Sequence, residues 1–161
     1  MIHIRAAVPQ DADPIWEILA AIIKTGDAFT YSPAASKADM LGYWLAENKH
    51  TYTALLDDRV VGTFFIQDNQ PGLGAHVANA GYATAPGFYG RGIAREMGLF
   101  SLAEARKLGY LAMQFNIVVK TNVRAVRLWQ HLGFTIIGEI PDAFQHQQLG
   151  LVNAYIMHQK L

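Results

Sequence analysis

The stretch Ala83-Thr84-Ala85-Pro86-Gly87-Phe88-Tyr89-Gly90-Arg91-Gly92-Ile93-Ala94 carries the clearest chemical signal in the chain. Gly90 and Gly92 let the backbone take unusual dihedrals and approach a ligand closely. An apolar-periodic segment begins at Ile93, so the glycines open a helix. First-turn N–H groups of a helix lack internal partners and sit at the positive end of its dipole. Such a turn suits an anion, phosphate or pyrophosphate above all. A tight turn without a ligand needs the same glycines. Two phosphate motifs are excluded. A Walker loop requires Gly-Lys-Ser/Thr, and Ile93 follows Gly92. A dinucleotide fingerprint requires an acid at the end of the next strand, which here reads Val118-Val119-Lys120.

The elements around this turn follow from periodicity. Ile2 and Ile4 alternate in a short strand. Asp13-Pro14 reads as an N-cap with proline at the first helical position, before an apolar stripe of Ile15, Leu19, Ile22 and Ile23 that Gly26 ends. Ser36-x-x-Asp39 opens a second helix carrying Leu41, Trp44 and Leu45. Residues 51–56 and 60–67 form a hairpin about Asp57-Asp58-Arg59. A strand over 77–84, weakened by Gly81, leads into the glycine turn and a helix to about Leu108. Strand 111–119 precedes a helix capped by Thr121-Asn122, with Ala125, Leu128, Trp129 and Leu132 on one stripe. Strands 134–140 and 151–158 close the chain, joined by a polar loop from Pro141 to Gly150. The order is β-α-α-β-β-β-α-β-α-β-β. It predicts an α/β (α+β) layer structure, with a mixed sheet and helices on both faces.

The chain of 161 residues predicts one domain, 1–161. A hydrophobic share of 52% against 16% charged excludes intrinsic disorder. Thirteen basic and thirteen acidic residues cancel, which argues against a nucleic-acid partner. With no cysteine, disulfides, thiolate nucleophiles and cysteine-bound metal are out, and no metal site is expected. The N-terminus has no signal-peptide core, and the longest apolar run, Ile18 to Ile23, is far short of a membrane span. A cytoplasmic protein without membrane contact is the expectation.

Tyr89-Gly90-Arg91-Gly92-Ile93-Ala94 resembles the acetyl-coenzyme A loop of the GCN5-related N-acetyltransferases, Gln/Arg-x-x-Gly-x-Gly/Ala, with Tyr89 at the departing first position. Pro86 stands where that family places its proline. A second family signature, Asn-x-x-Ala-x-x-Leu-Tyr-x-x-x-Gly-Phe, is matched by Asn122, Ala125, Leu128, Gly133 and Phe134, with Trp129 in place of the tyrosine. The order of elements agrees over nearly the whole chain. Within the family the chain looks most like the phosphinothricin acetyltransferase branch, which acylates small amino-acid-like amines. The resemblance implies a mostly antiparallel sheet of about seven strands and a homodimer. It also implies a cofactor site: pyrophosphate on the amides of Gly90, Gly92, Ile93 and Ala94, and the pantetheine arm along Ala83, Thr84 and Ala85. Asn122 and Trp129 would lie beside that arm, and Arg91, Arg95 and Arg124 near phosphates.

Acetyl transfer needs an amine that loses a proton and a donor for the developing oxyanion. The family's usual base, a Glu on the fourth strand, aligns with Asn79, and its usual acid with Trp129. Neither can exchange a proton at neutral pH. His76, Tyr82 and His146 are the alternative candidates, and water is another route. An acyl-coenzyme A-binding regulatory domain is the rival reading. The resemblance places acceptor recognition at Phe29-Thr30-Tyr31. Gln114 and Asn116 face one side of their strand by alternation and are further acceptor candidates.

Overall fold

The computed structural model describes residues 1–161. Seven strands form one sheet: β1 (Ile2–Ala6), β2 (His50–Leu56), β3 (Arg59–Asp68), β4 (Val77–Thr84), β5 (Ala112–Val119), β6 (Thr135–His146) and β7 (Gly150–Lys160). Their spatial order is β1-β2-β3-β4-β5-β7-β6. Every neighbouring pair is antiparallel except β4 and β5. Four helices complete the fold: α1 (Ala12–Ile23), α2 (Lys37–Trp44), α3 (Ile93–Lys107) and α4 (Val123–His131). None is long and apolar enough to cross a membrane.

The two sheet faces carry separate cores because side chains alternate along a strand. Phe65 and Ala83 point to α1 and α2, where Ile15, Leu19, Ile23, Met40 and Trp44 are buried. Phe64, Ile66, Met113 and Phe115 point the other way, against Met97 and Leu102 of α3 and Val126 and Trp129 of α4. Gly81 does not break β4. A Cβ there would lie 2.7 Å from the Phe65 ring, so the absent side chain is what lets Phe65 fill the first core. Asp57 and Asp58 take positive φ (50° and 60°), the mirror-image turn that two-residue hairpins favour.

Two expectations are corrected. Asp13-Pro14 does not cap α1, which starts at Ala12 directly after a short 3-10 turn, Pro9–Asp11. Asp11 is the organising acid. Its carboxylate accepts from Val8 N at 2.8 Å and takes both Arg5 guanidinium nitrogens at 2.6 and 3.0 Å. The segment from Pro141 to Gly150 is not a loop. β6 runs on through it to His146, with a register shift between Ile140 and Phe144. β6 is the outer strand of the sheet, where proline at a bulge removes no needed hydrogen bond.

Candidate active site

β4 and β5 pair only at Val77–Ala112 and Ala78–Met113, and then part. A bulge in β5 between Phe115 and Val118 accompanies the parting. Beyond Ala78, one side of β4 therefore faces open space. Alternation decides which backbone groups face it. Ala85 N–H donates to Val61 O at 2.8 Å, and Ala83 stands opposite Thr63, so both turn their polar groups to β3. The N–H and C=O of Tyr82 and Thr84 point into the cleft. Of the three residues expected to pair with an extended ligand, Thr84 offers its backbone there. Tyr82 joins it through its main chain.

At the top of the cleft lies the glycine turn. Gly87, Gly90 and Gly92 hold φ of 85°, 77° and 80°, and a Cβ on any of them would meet nothing within 4 Å. The space above the turn is open, so these glycines serve backbone shape and close approach. The first hydrogen bond of α3 is Glu96 N to Gly92 O, and no side chain caps the helix. The amides of Ile93, Ala94 and Arg95 are left without acceptors. Arg91 stacks over Phe88 with its guanidinium 5.0 Å from the ring centre, and Arg124 over Tyr89 at 5.5 Å. Neither has an acidic partner. Arg95 pairs with Glu96 at 3.2 Å. Free amides, bare glycines and two uncompensated cations fit a pyrophosphate, and the open edge of β4 fits an extended amide chain such as pantetheine. Asn122 caps α4, its Oδ1 accepting from Ala125 N at 3.4 Å, which leaves its NH2 group free.

Asn79 sits where β4 and β5 begin to part, and it is locked. Its Oδ1 accepts from Gln67 Nε2 at 3.2 Å, and its Nδ2 donates to the Gln114 carbonyl at 3.0 Å. Gln114 Nε2 donates to Asn116 Oδ1 at 3.0 Å, and Asn116 Nδ2 to Asn69 Oδ1 at 2.7 Å. Five carboxamides thus line the α1/α2 side of the cleft, and none titrates at neutral pH. Gln67 and Asn69 escaped the sequence reading. The alternation Phe65-Gln67-Asn69 is the signal that places them on one face.

The other candidates are spread out. Ser101 Oγ donates to Gly98 O at 2.8 Å, so the Tyr82 hydroxyl, 2.7 Å away, is the donor to Ser101. Burial pushes that phenol up, opposed by the Ser101 hydrogen bond. Its hydroxyl is committed to the α3 core on the face opposite Asn79. Trp129 packs against Tyr82 and Phe115, with ring centres 4.7 Å from each. The indole Nε1–H has no partner in the chain, yet it is not sealed from solvent. His76 is exposed beside the closed end of β4, about 26 Å of extended chain from Thr84.

His146 is brought to the loop from Phe29 to Pro33. A cavity of about 510 Å³ opens between the segment from Phe29 to Pro33 and the segment from Ala143 to Gln147, with Thr30, Tyr31, Phe144 and His146 in its wall. Phe29 lies 5.3 Å from Tyr31 and 6.1 Å from Trp44, which anchors the loop on the first core. Burial, with Tyr43 beside it, pushes the Tyr31 phenol up, so it stays protonated and polar without charge. No Asp, Glu, Lys or Arg lines this cavity. Phe144 and Gln145 were missed because their segment reads as loop.

Comparisons with known proteins agree with this geometry. The profile of the Acetyltransferase (GNAT) family matches residues 16–134. N-acetyltransferase aca1 of Schizosaccharomyces pombe is 37% identical over 100 residues, 60% of this chain and 47% of that protein. The chain therefore spans about half the length of that curated relative. A GCN5-related N-acetyltransferase from Kribbella flavida superposes with a TM-score of 0.95 at 35% identity, covering 99% of this chain and 98% of the other. A phosphinothricin acetyltransferase from Sinorhizobium meliloti, solved in complex with acetyl-coenzyme A, shares the fold at a TM-score of 0.88 and 18% identity, over 99% and 88% of the two chains. The parted β4 and β5, the uncapped glycine turn and a family match over most of the sequence converge: the chain belongs to the GCN5-related N-acetyltransferase (GNAT) family.

Proposed function

We propose that residues 1–161 are one catalytic domain that moves an acetyl group from acetyl-coenzyme A to the amine of a small, amino-acid-like molecule. Transfer is direct, within a ternary complex. The observation that carries the reading is the pair of backbone sites at Tyr82 and Thr84 on the open edge of β4, followed by the unpaired amides of the first turn of α3. Bound there, the thioester supplies an activated acetyl group. The amides of Gly90, Gly92, Ile93 and Ala94 hold its pyrophosphate, with Arg91 and Arg124 alongside. Tyr89 supports Arg124 through its ring.

The chain's own residues orient more than they titrate. Asn79 presents an amide fixed from both sides, which positions an incoming amine or a water without taking its proton. The amine's proton leaves through water. Trp129 Nε1–H offers a hydrogen bond to sulfur or an oxyanion where the family uses a phenol. Phe29, Thr30 and Tyr31, with Gln114 and Asn116 at the cleft floor, hold the acceptor.

Calorimetric titration of acetyl-coenzyme A, with ATP and NAD as controls, tests the donor. Micromolar, selective binding, about −8 kcal/mol, is expected. Thiol release across an amine panel tests the transfer, and no release above the buffer rate for any amine refutes it. The absence of a titratable group at Asn79 and Trp129 favours one rival, a domain that binds acyl-coenzyme A to regulate another process. Sustained turnover eliminates it. The same reading takes the cytoplasm as the compartment and a homodimer as the assembly. The exposed Ile137, Leu149 and Leu151 around the β6–β7 hairpin support self-association, and light scattering on the purified protein tests it.

A further inference from the structure

His146 has a fixed tautomer, and this follows from its place in the hairpin. Its Nδ1 lies 3.1 Å from Gln148 N and 3.1 Å from Leu149 N. Both are backbone donors, so Nδ1 must be the bare nitrogen, and the ring proton of the neutral imidazole sits on Nε2. The residue is 9% exposed. Phe144 meets the ring edge to face, with 6.3 Å between ring centres. Nε2 makes no hydrogen bond in the protein. The only side-chain polar atom sealed away without a partner is Gln159 Oε1, so Nε2–H is not sealed from solvent, and His146 lines the cavity it shares with Phe29, Thr30 and Tyr31. A largely buried histidine with Nδ1 occupied and a proton on an accessible Nε2 presents one directed donor to a bound molecule.

We propose that His146 is a specificity residue: its Nε2–H binds a carboxylate or carbonyl oxygen next to the reacting amine. The acceptor class is then α-amino acids and their carbonyl-bearing relatives rather than simple amines or polyamines. The rest of the wall agrees. Its polar groups, Thr30, Ser32, Tyr31 and the nearby glutamines, carry no formal charge. A polyamine would find no carboxylate for its second ammonium, whereas a carboxylate would find N–H and O–H donors. His146 cannot be the base in this arrangement, because Nδ1 is engaged and Nε2 already holds a proton. The inference rests on the acetyltransfer reading above.

Two substitutions separate the roles of the ring. His146→Asn puts an amide oxygen near Nδ1, where it still accepts from the hairpin, and removes the outer donor. His146→Gln keeps an N–H at the outer position and loses the hairpin cap. The assay is kcat/KM for matched acceptors, phenylalanine against phenethylamine and leucine against isoamylamine, with thiol release as the readout. Wild type should prefer each amino acid by at least about tenfold. His146→Asn should lose that preference, with kcat/KM falling about tenfold further for each amino acid than for its matched simple amine. His146→Gln should keep the preference and melt at a lower temperature. Wild type without a preference overturns the proposal, as does a folded His146→Asn variant that retains it. If His146→Asn fails to fold, loss of preference in His146→Gln overturns it instead. Wild type that turns over no amine, including acceptors outside these pairs, overturns the acetyltransfer reading itself, and the two failures are thereby distinct.

Discussion

Substituting Gly92 by aspartate tests the cofactor site without breaking the fold. Gly92 holds a φ of 80°, and a Cβ there meets nothing within 4 Å, so the new side chain causes no clash. A non-glycine residue in this left-handed region costs about 1–2 kcal/mol. Aspartate recovers part of that cost, because its carboxylate meets the unpaired first-turn amides of α3 and the positive end of the helix, worth about 0.3–1 kcal/mol. The net loss of stability is therefore about 1 kcal/mol, or roughly 2–4 °C in Tm for a chain of this size. Binding suffers much more. At about 5 Å and an effective dielectric of about 40, each phosphate charge is repelled by about 1.7 kcal/mol, and two charges give about 3 kcal/mol. Acetyl-coenzyme A affinity should fall roughly 100-fold or more by calorimetry. Gly92→Ala, which pays the strain but adds no charge, should fall less than tenfold. A folded Gly92→Asp variant whose Kd stays within threefold of wild type would refute the placement of pyrophosphate on this turn.

Other substitutions address the proton route and the scaffold. Without an enzyme base at Asn79, wild-type log kcat/KM should rise with unit slope until the acceptor amine's own pKa. Asn79→Glu should add a second, lower titration limb to that profile while losing about 1–3 kcal/mol of stability, since a carboxylate then faces the Gln114 carbonyl; an unchanged profile argues that the cleft does not run through Asn79. Trp129→Phe keeps a ring against Tyr82 and Phe115 but deletes the free N–H, so kcat should fall roughly tenfold, about 1.4 kcal/mol, with KM for acetyl-coenzyme A little changed. Equal kcat in the two proteins would show that the indole donates nothing. The Asp11 carboxyl is held below its ordinary value, first by the Arg5 guanidinium hydrogen bonds, which with the Val8 N–H outweigh the opposing effect of burial. A lowered folded pKa means stability present above the unfolded value, about 3.9, and lost as pH falls through the folded one. Asp11→Asn should therefore melt several degrees below wild type at pH 7, and the gap should shrink in melts recorded near pH 3.

The α1/α2 and α3 sides of the molecule were legible because apolar spacing and turn chemistry act locally. Ser36 caps α2 by accepting from Asp39 N at 3.1 Å, Gly92 opens α3, and the strand over 77–84 stands at the expected residues. Asp13 misled because proline after aspartate is a strong local start signal. The competing signal, Asp11 tied to Arg5, depends on β1 lying alongside and cannot be seen within one turn of sequence. The site failed to be legible for a related reason. Phe29 and His146 were nominated for different tasks, more than a hundred residues apart, and only the strand between Thr135 and His146 brings them to one cavity. The far half of that strand, from Pro141 to His146, carries proline, Asp142, Gln145 and His146 without a clean apolar alternation, because it lies at the sheet edge and one of its faces meets solvent. Edge strands are held by one neighbour, here β7 from Gly150 to Thr135's partner His158, so they tolerate bulges and proline that a central strand rejects. The same tolerance lets β6 kink between Ile140 and Phe144, and the kink lies just before Phe144 and His146 in the cavity wall. Composition reads such a segment as loop, although its extended backbone carries one wall of the cavity opposite Phe29.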